Sequence, residues 1–262
     1  MRLFDTHAHL DNEALAADFP GVVARAKTIG VADIILVGTT AVASARCVAL
    51  ASQFPGLSAA VGIQPNHVAE AGAEDWNEIV RLARSPGVVA LGETGLDRYW
   101  NDTPFAQQQD YFDRHLRLSQ QTNLPFIVHM RDCGADIATM LTEARGRGVL
   151  RGVMHSFTGD LALAQECLAL GLYISFAGMV TYKKSEALRA VAAAIPADRI
   201  LIETDSPYLS PHPQRAKRPN EPALILHTAA CLAEVRGVSL QTFAAQTWEN
   251  ACTLFRGGAG QE

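Results

Sequence analysis

The chain predicts a closed parallel (β/α)8 barrel in a single α/β domain, and three observations lead there. Short apolar or β-branched runs alternate with longer helix-like segments through eight units, and no linker or low-complexity stretch interrupts them. The length of 262 residues, 48% hydrophobic and 19% charged, suits one large core. Parallel strands need helical crossovers and a sheet covered on both faces, which is why the strand runs are apolar throughout instead of alternating.

The first strand, Arg2–Thr6, leads to a helix over Pro20–Ile29 that stops at Gly30. The second, Asp33–Gly38, leads to Ala41–Gln53, and the third, Ser58–Gly62, to Ala73–Arg84, with Gly87 marking the break. The fourth, Val88–Glu93, is followed by Pro104–Gln121, where Pro104 suits a first helical turn. The fifth, Pro125–His129, precedes Ala135–Arg147, and the sixth, Gly152–His155, precedes Leu161–Leu170 and the break at Gly171. The seventh, Leu172–Phe176, leads to Ser185–Ala194, and the eighth, Arg199–Asp205, to Ala223–Arg236 and Leu240–Phe255. Residues 1–256 are expected to form the barrel domain and 257–262, opening Gly257-Gly258-Ala259-Gly260, a frayed tail.

Composition narrows the function classes. The N-terminus lacks the basic start and apolar middle of a secretory signal, and no apolar run is long enough to cross a bilayer, so a cytoplasmic enzyme with no membrane partner is expected, its oligomeric state open with a monomer favoured. The five cysteines are odd in number and scattered, which reads as reduced thiols. A net charge of −5 disfavours nonspecific coating of duplex nucleic acid but allows one strand end to enter a locally basic pocket. Candidate basic positions are Arg98, Arg131, Arg215, Lys217 and Arg218, whereas Lys183 and Lys184 read as solvated surface.

The chemistry centres on Asp5-Thr6-His7-Ala8-His9. On extended backbone, residues i and i+2 face the same way, so His7 and His9 can grip one cation together. Glu93, His129, His155 and Asp205 stand at the ends of later strands, and in a barrel those ends share the rim where reactive groups gather. Carboxylates inside apolar strands are costly unless paired or metal-bound. Four imidazoles and two carboxylates exceed one tetrahedral zinc and suit two divalent ions roughly 3.5–4 Å apart with a hydroxide between them. The assignment is His7, His9 and Asp205 to one ion, His129 and His155 to the other, Glu93 as the bridge and Asp205 as proton shuttle. Mixed donors favour Zn²⁺, Mn²⁺, Fe²⁺ or Co²⁺ over Mg²⁺, without naming the metal. His115 and His227 lie within helices and read as packing residues, and Cys133 as a small buried hydrophobe.

Five segments together resemble the TatD-type metal-dependent deoxyribonucleases. They are Asp5-Thr6-His7-Ala8-His9-Leu10-Asp11, Gly92-Glu93-Thr94-Gly95-Leu96-Asp97, His129-Met130-Arg131, His155-Ser156-Phe157-Thr158-Gly159 and Glu203-Thr204-Asp205-Ser206-Pro207-Tyr208-Leu209. The resemblance covers nearly the whole chain in order. It implies a TIM barrel of the amidohydrolase-like group, a divalent-metal centre at the six positions above, and phosphodiester hydrolysis that trims single-stranded DNA from its 3′ end. RNA and tRNA are further candidate substrates. The bridging place held by a carboxylated lysine in many amidohydrolases is taken by Glu93.

Two segments depart from the family pattern. Gly62-Ile63-Gln64-Pro65-Asn66-His67 replaces a Gly-x-His-Pro segment, which leaves His67 as either a substrate-phosphate contact or a loop residue. Arg218-Pro219-Asn220-Glu221-Pro222 carries an inserted proline in an Arg-Asn-Glu-Pro segment. Arg98, Arg131, Arg218 and Asn220 are candidate substrate contacts, and Tyr99, Trp100, Phe157, Tyr182 and Tyr208 candidate base platforms. The competing activity is ester or amide hydrolysis, for instance of D-aminoacyl-tRNA; a non-catalytic interaction protein would have no need of the six-ligand set.

Overall fold

In the computed structural model, which describes residues 1–257, eight strands form one sheet in the order β1 to β8. The strands are β1 (Leu3–Ala8), β2 (Val31–Val37), β3 (Leu57–Val61), β4 (Val88–Asp97), β5 (Phe126–Arg131), β6 (Gly152–Met154), β7 (Tyr173–Phe176) and β8 (Ile200–Ile202). The helices are α1 (Glu13–Ala16), α2 (Phe19–Thr28), α3 (Ala41–Ala51), α4 (Asp75–Leu82), α5 (Phe105–Thr122), α6 (Gly134–Arg145), α7 (Leu161–Ala169), α8 (Glu186–Ala194), α9 (Ile225–Val235) and α10 (Leu240–Phe255). Strands in sequence order with a helix after each define the TIM-type (β/α)8 class expected from the sequence. The expected tail lies, beyond Gly257, outside the described residues.

Chain contacts divide the molecule into two compact units. One comprises Met1–Ile35, Ser156–Ala164 and the described residues from Ile174 onward; the other comprises Leu36–His155 and Gln165–Tyr173. In the first, β7 pairs parallel with β8 through Ile174–Ile200, Ser175–Leu201 and Phe176–Ile202, and Ala8 bridges Ser206 just past β8. Leu3, Phe4, Ile34, Ile35, Phe176, Leu201 and Phe243 are buried there. The α10 helix, capped by the Ser239 hydroxyl, is tied down at Asp33, which takes hydrogen bonds from Trp248 and Arg256. In the second unit β3, β4, β5 and β6 pair parallel over a core that includes Ile79, Leu91, Phe112, Phe126 and Ile137. Among the described residues no single helix is long and apolar enough to cross a membrane.

Strand ends differ from the expected ones where they matter most. The β4 strand runs four residues past Glu93, because Thr94, Gly95, Leu96 and Asp97 pair with Val128, His129, Met130 and Arg131 of β5 after a register shift. Gly95 sits at φ +135°, and a Cβ there would collide with the carbonyl oxygen of His129, its partner in β5, so only glycine lets β4 run this close to β5. β8 stops at Ile202, which leaves Asp205 on a loop at φ +55°. Short elements such as α1 and the 3-10 turns Pro65–Glu70 and Gly178–Thr181 are absent from the expectation because four to six residues carry no helical period.

His115 is the packing residue anticipated. It is fully buried in α5, donates from Nδ1 to the Tyr111 carbonyl at 2.7 Å, accepts the Ile63 amide at Nε2 at 3.2 Å, and meets the Trp76 ring edge-on. Burial pulls its pKa from 6.5 down to about 4. The unfolded chain therefore takes up a proton that the folded chain refuses, and stability present above the ordinary histidine pKa is lost as pH falls from about 6.5 through about 4. The loss reaches roughly 3 kcal/mol. His115→Gln, which keeps an acceptor for Ile63 without titrating, is expected to flatten this segment of the stability curve in urea melts at successive pH values; an unchanged slope contradicts it.

Candidate metal centre

Two triads of ligand-type side chains form, one in each unit. In the first, β1 delivers His7 and the following turn His9, with Nε2 atoms 3.0 Å apart. Asp205 Oδ1 stands 3.8 Å from His7 Nε2 and 3.5 Å from His9 Nε2. Donors bound to one ion at about 2.0–2.1 Å in a tetrahedral array lie about 3.4 Å apart, so this spacing and this mix of nitrogen and oxygen suit one divalent cation. The backbone aims them: Asp205 N–H donates to the His7 carbonyl at 2.9 Å and His9 N–H to the Ser206 carbonyl at 2.7 Å. Asp205 takes the left-handed conformation, which aspartate tolerates better than most residues.

Beneath this triad lies a buried polar ladder. Asp5 accepts the Thr204 amide at 2.9 Å, the Thr204 hydroxyl at 2.6 Å and the His7 amide at 3.3 Å, and the Ser206 hydroxyl donates to Thr204 Oγ1 at 2.7 Å. Complete burial pushes the Asp5 carboxyl up to about 7, against the pull of those hydrogen bonds and with Glu203 nearby adding to the rise. Glu203 accepts the Ser156 amide and the Ser175 hydroxyl, each at 2.6 Å. Asp5 thereby holds the backbone on both sides of the triad, at His7 and beside Asp205.

The second triad is Glu93, His129 and His155. Glu93 Oε1 lies 2.8 Å from His129 Nδ1 and 3.2 Å from His155 Nε2. Glu93 is 4% exposed, a carboxylate inside an apolar strand whose charge is met by imidazoles. On its other side His129 Nε2 meets Asp97 Oδ2 at 2.9 Å. Burial alone would lower the His129 pKa, but the hydrogen bonds to Asp97 and Glu93 outweigh it and hold the value above that of ordinary histidine. Burial would raise Asp97, yet hydrogen bonds from His129, the Trp100 amide and Asn66 bring it to about 2. Cys133 donates its Sγ–H to the Leu96 carbonyl, and burial pushes its thiol up to about 12, so it stays protonated and unreactive.

The candidate substrate contacts separate into open and engaged groups. Tyr99 and Trp100 are 53% and 50% exposed, meet edge-to-face at 4.9 Å, and the Arg131 guanidinium stacks 3.9 Å over Tyr99. Tyr208 is exposed 6.2 Å from the His9 ring, and Arg218 is exposed. Arg215 stacks on Tyr182 at 4.1 Å. His67 lies half-buried, 3.5 Å from Glu70, within the 3-10 turn capped by Gln64. Arg98 makes a forked pair with Asp136 at 2.7 and 2.9 Å and lies over Phe105. Asn220 is fully buried: its amide donates to the Thr204 and Tyr208 carbonyls and its oxygen takes the Glu221 amide, so it braces the Asp205 loop from below. Phe157 is buried against Phe176 and offers no open face.

Comparison with known proteins agrees with the residues. The family model described as TatD related DNase matches residues 4–256. The chain is 39% identical to the uncharacterized metal-dependent hydrolase YabD of Bacillus subtilis (strain 168), over 97% of this chain and 99% of the relative. It is 36% identical to the 3′-5′ ssDNA/RNA exonuclease TatD of Pantoea vagans (strain C9-1), again over 97% and 99%. The crystal structure of YjjV, a TatD homologue from Escherichia coli K12, superposes with a TM-score of 0.91 at 32% identity, covering 97% of this chain and 98% of that one.

Proposed function

This chain belongs to the TatD-related DNase family and is a metal-dependent hydrolase, and from that premise we propose that it removes nucleotides from the 3′ end of single-stranded DNA. The observation that carries the reading is the convergence of His7 Nε2, His9 Nε2 and Asp205 Oδ1 at 3.0, 3.5 and 3.8 Å. The exonuclease name of the Pantoea relative supports the substrate class.

His7, His9 and Asp205 would hold one divalent ion, and Glu93, His129 and His155 would hold a second. Divalent ions so placed supply positive charge to phosphoryl oxygens and acidify a water molecule. Asp205, the carboxylate of the first triad, accepts the proton of the attacking water. The water oxygen joins phosphorus, the P–O3′ bond breaks, and the departing 3′ oxygen takes a proton from solvent water to leave as a hydroxyl on the shortened strand. Tyr99 and Trp100 give the terminal bases two exposed π faces, a contact worth about 1–3 kcal/mol per base and indifferent to sequence. Arg131, stacked on Tyr99, presents its charge to the backbone phosphate.

A 5′-labelled single-stranded oligonucleotide incubated with the metal-loaded protein is expected to shorten stepwise, releasing 5′-mononucleotides. Internal fragments would remove the end-directed reading. An intact strand together with free amino acid from charged tRNA would replace phosphodiester chemistry with ester hydrolysis.

A further inference from the structure

We infer that Asp97 is a positioning residue that sets the ring tautomer of His129 and ties that imidazole to the exposed Tyr99–Trp100 corner. The inference rests on the proposed ligand role of His129. Asp97 is a 2% exposed carboxylate with four donors aimed at it. Its Oδ1 takes the Tyr99 amide at 2.8 Å and the Trp100 amide at 3.0 Å; its Oδ2 takes His129 Nε2 at 2.9 Å and the Asn66 side-chain amide at 3.2 Å. Carboxylates face both ring nitrogens, Glu93 at Nδ1 and Asp97 at Nε2, and an ionised carboxylate only accepts; with a cation on the Nδ1 lone pair, the remaining ring hydrogen must sit on Nε2, where Asp97 receives it. The Nδ1 atom is on the side where Glu93 Oε1 lies 2.8 Å away. A ligand histidine needs its far nitrogen held in this way, and outer carboxylates do so by fixing both tautomer and ring plane.

The Asp97 backbone is itself clamped. Its N–H donates to Gln108 Oε1 at 2.8 Å, and Gln108 Nε2 returns a hydrogen bond to the Asp97 carbonyl at 3.1 Å and another to Thr103 at 3.0 Å. The carboxylate therefore cannot drift toward one set of partners at the expense of the other. One oxygen shapes the turn that displays two aromatic rings, and the other holds a ligand ring. Loss of the carboxylate is expected to loosen both, and loss of its charge alone only one.

Asp97→Asn separates the two. The asparagine oxygen still accepts the Tyr99 and Trp100 amides, while its NH2 group faces His129 Nε2, where a donor is no substitute for an acceptor. Long-range ¹⁵N NMR of histidine-labelled, Zn²⁺-loaded protein is expected to show His129 bound through Nδ1 with a slowly exchanging hydrogen on Nε2 in the wild type, and that hydrogen exchanging faster in the variant. Zn²⁺ affinity, read by competition with a chromophoric chelator, is expected to fall about 10–100-fold in Asp97→Asn with unchanged Trp fluorescence. In Asp97→Ala both readouts are expected to change. An Nδ1-protonated ring in the wild type, measurable whether or not a variant folds, overturns the inference, as does an Asp97→Asn protein that binds Zn²⁺ as well as wild type. A wild-type protein that fails to bind Zn²⁺ would overturn the ligand role of His129 and this inference with it, whereas normal binding with the other tautomer overturns the role of Asp97 alone.

Discussion

Replacing Asp205 by asparagine is expected to reduce turnover of single-stranded DNA by about 10²–10⁴-fold, the range that loss of a positioned general base produces, while the melting temperature changes little. Asparagine is the informative substitute because position 205 lies at φ +55°, where asparagine and aspartate are accepted and alanine adds strain. The main-chain links that aim the residue, Asp205 N–H to the His7 carbonyl and the Tyr208 N–H to the Asp205 carbonyl, each at 2.9 Å, do not involve the carboxylate and survive the change. What goes is the negative oxygen 3.5 Å from His9 Nε2 and the proton acceptor it provides. Turnover is followed with a 5′-labelled oligonucleotide under saturating divalent metal, so that weaker metal binding does not masquerade as lost chemistry. A variant within about tenfold of the wild-type rate, folded and metal-loaded, removes Asp205 as the proton acceptor.

The strand pattern and the ligand-type residues were legible in the sequence from strand geometry and the cost of buried charge, and the supporting residues were missed although the second of these applies to them. His7 and His9 declare themselves because alternate residues on extended backbone face one way, and Glu93 because a charge in an apolar strand demands a partner. The same demand applies to Asp5, Asp97 and Glu203, which stand in the quoted motifs but went unassigned. Their partners are backbone amides and hydroxyls supplied by folding, such as the Thr204 and Trp100 amides, and no spacing of residue types reveals those. Treating every carboxylate in those motifs as buried would have found all three. Asn220 and Arg98 show the opposite difficulty: polarity in a motif loop suggests a ligand contact, yet Asn220 meets only neighbouring main chain and Arg98 an acid from α6. Helix ends were legible where a cap or glycine marked them, and the extension of β4 was not, because it depends on pairing with β5.

Glu93→Gln tests the second triad and is expected to cost more than about 100-fold in activity, since even outer partners of metal ligands are worth 10–100-fold in affinity or rate. Glutamine keeps the volume and can still accept a hydrogen bond, but it removes the charge that faces His129 Nδ1 at 2.8 Å and His155 Nε2 at 3.2 Å. Two imidazoles without a carboxylate hold a dication poorly, so elemental analysis is expected to find two equivalents of metal in the wild type and one in the variant. Metal bound to the folded state alone stabilises it by mass action. Chelator is therefore expected to abolish wild-type activity and lower its melting temperature, and to lower that of Glu93→Gln by less, because the variant starts with part of the stabilisation already gone. A Glu93→Gln protein with two equivalents of metal and a wild-type response to chelator would show that the His129–His155 pair does not depend on this carboxylate, and the second ion would have to be sought on other donors.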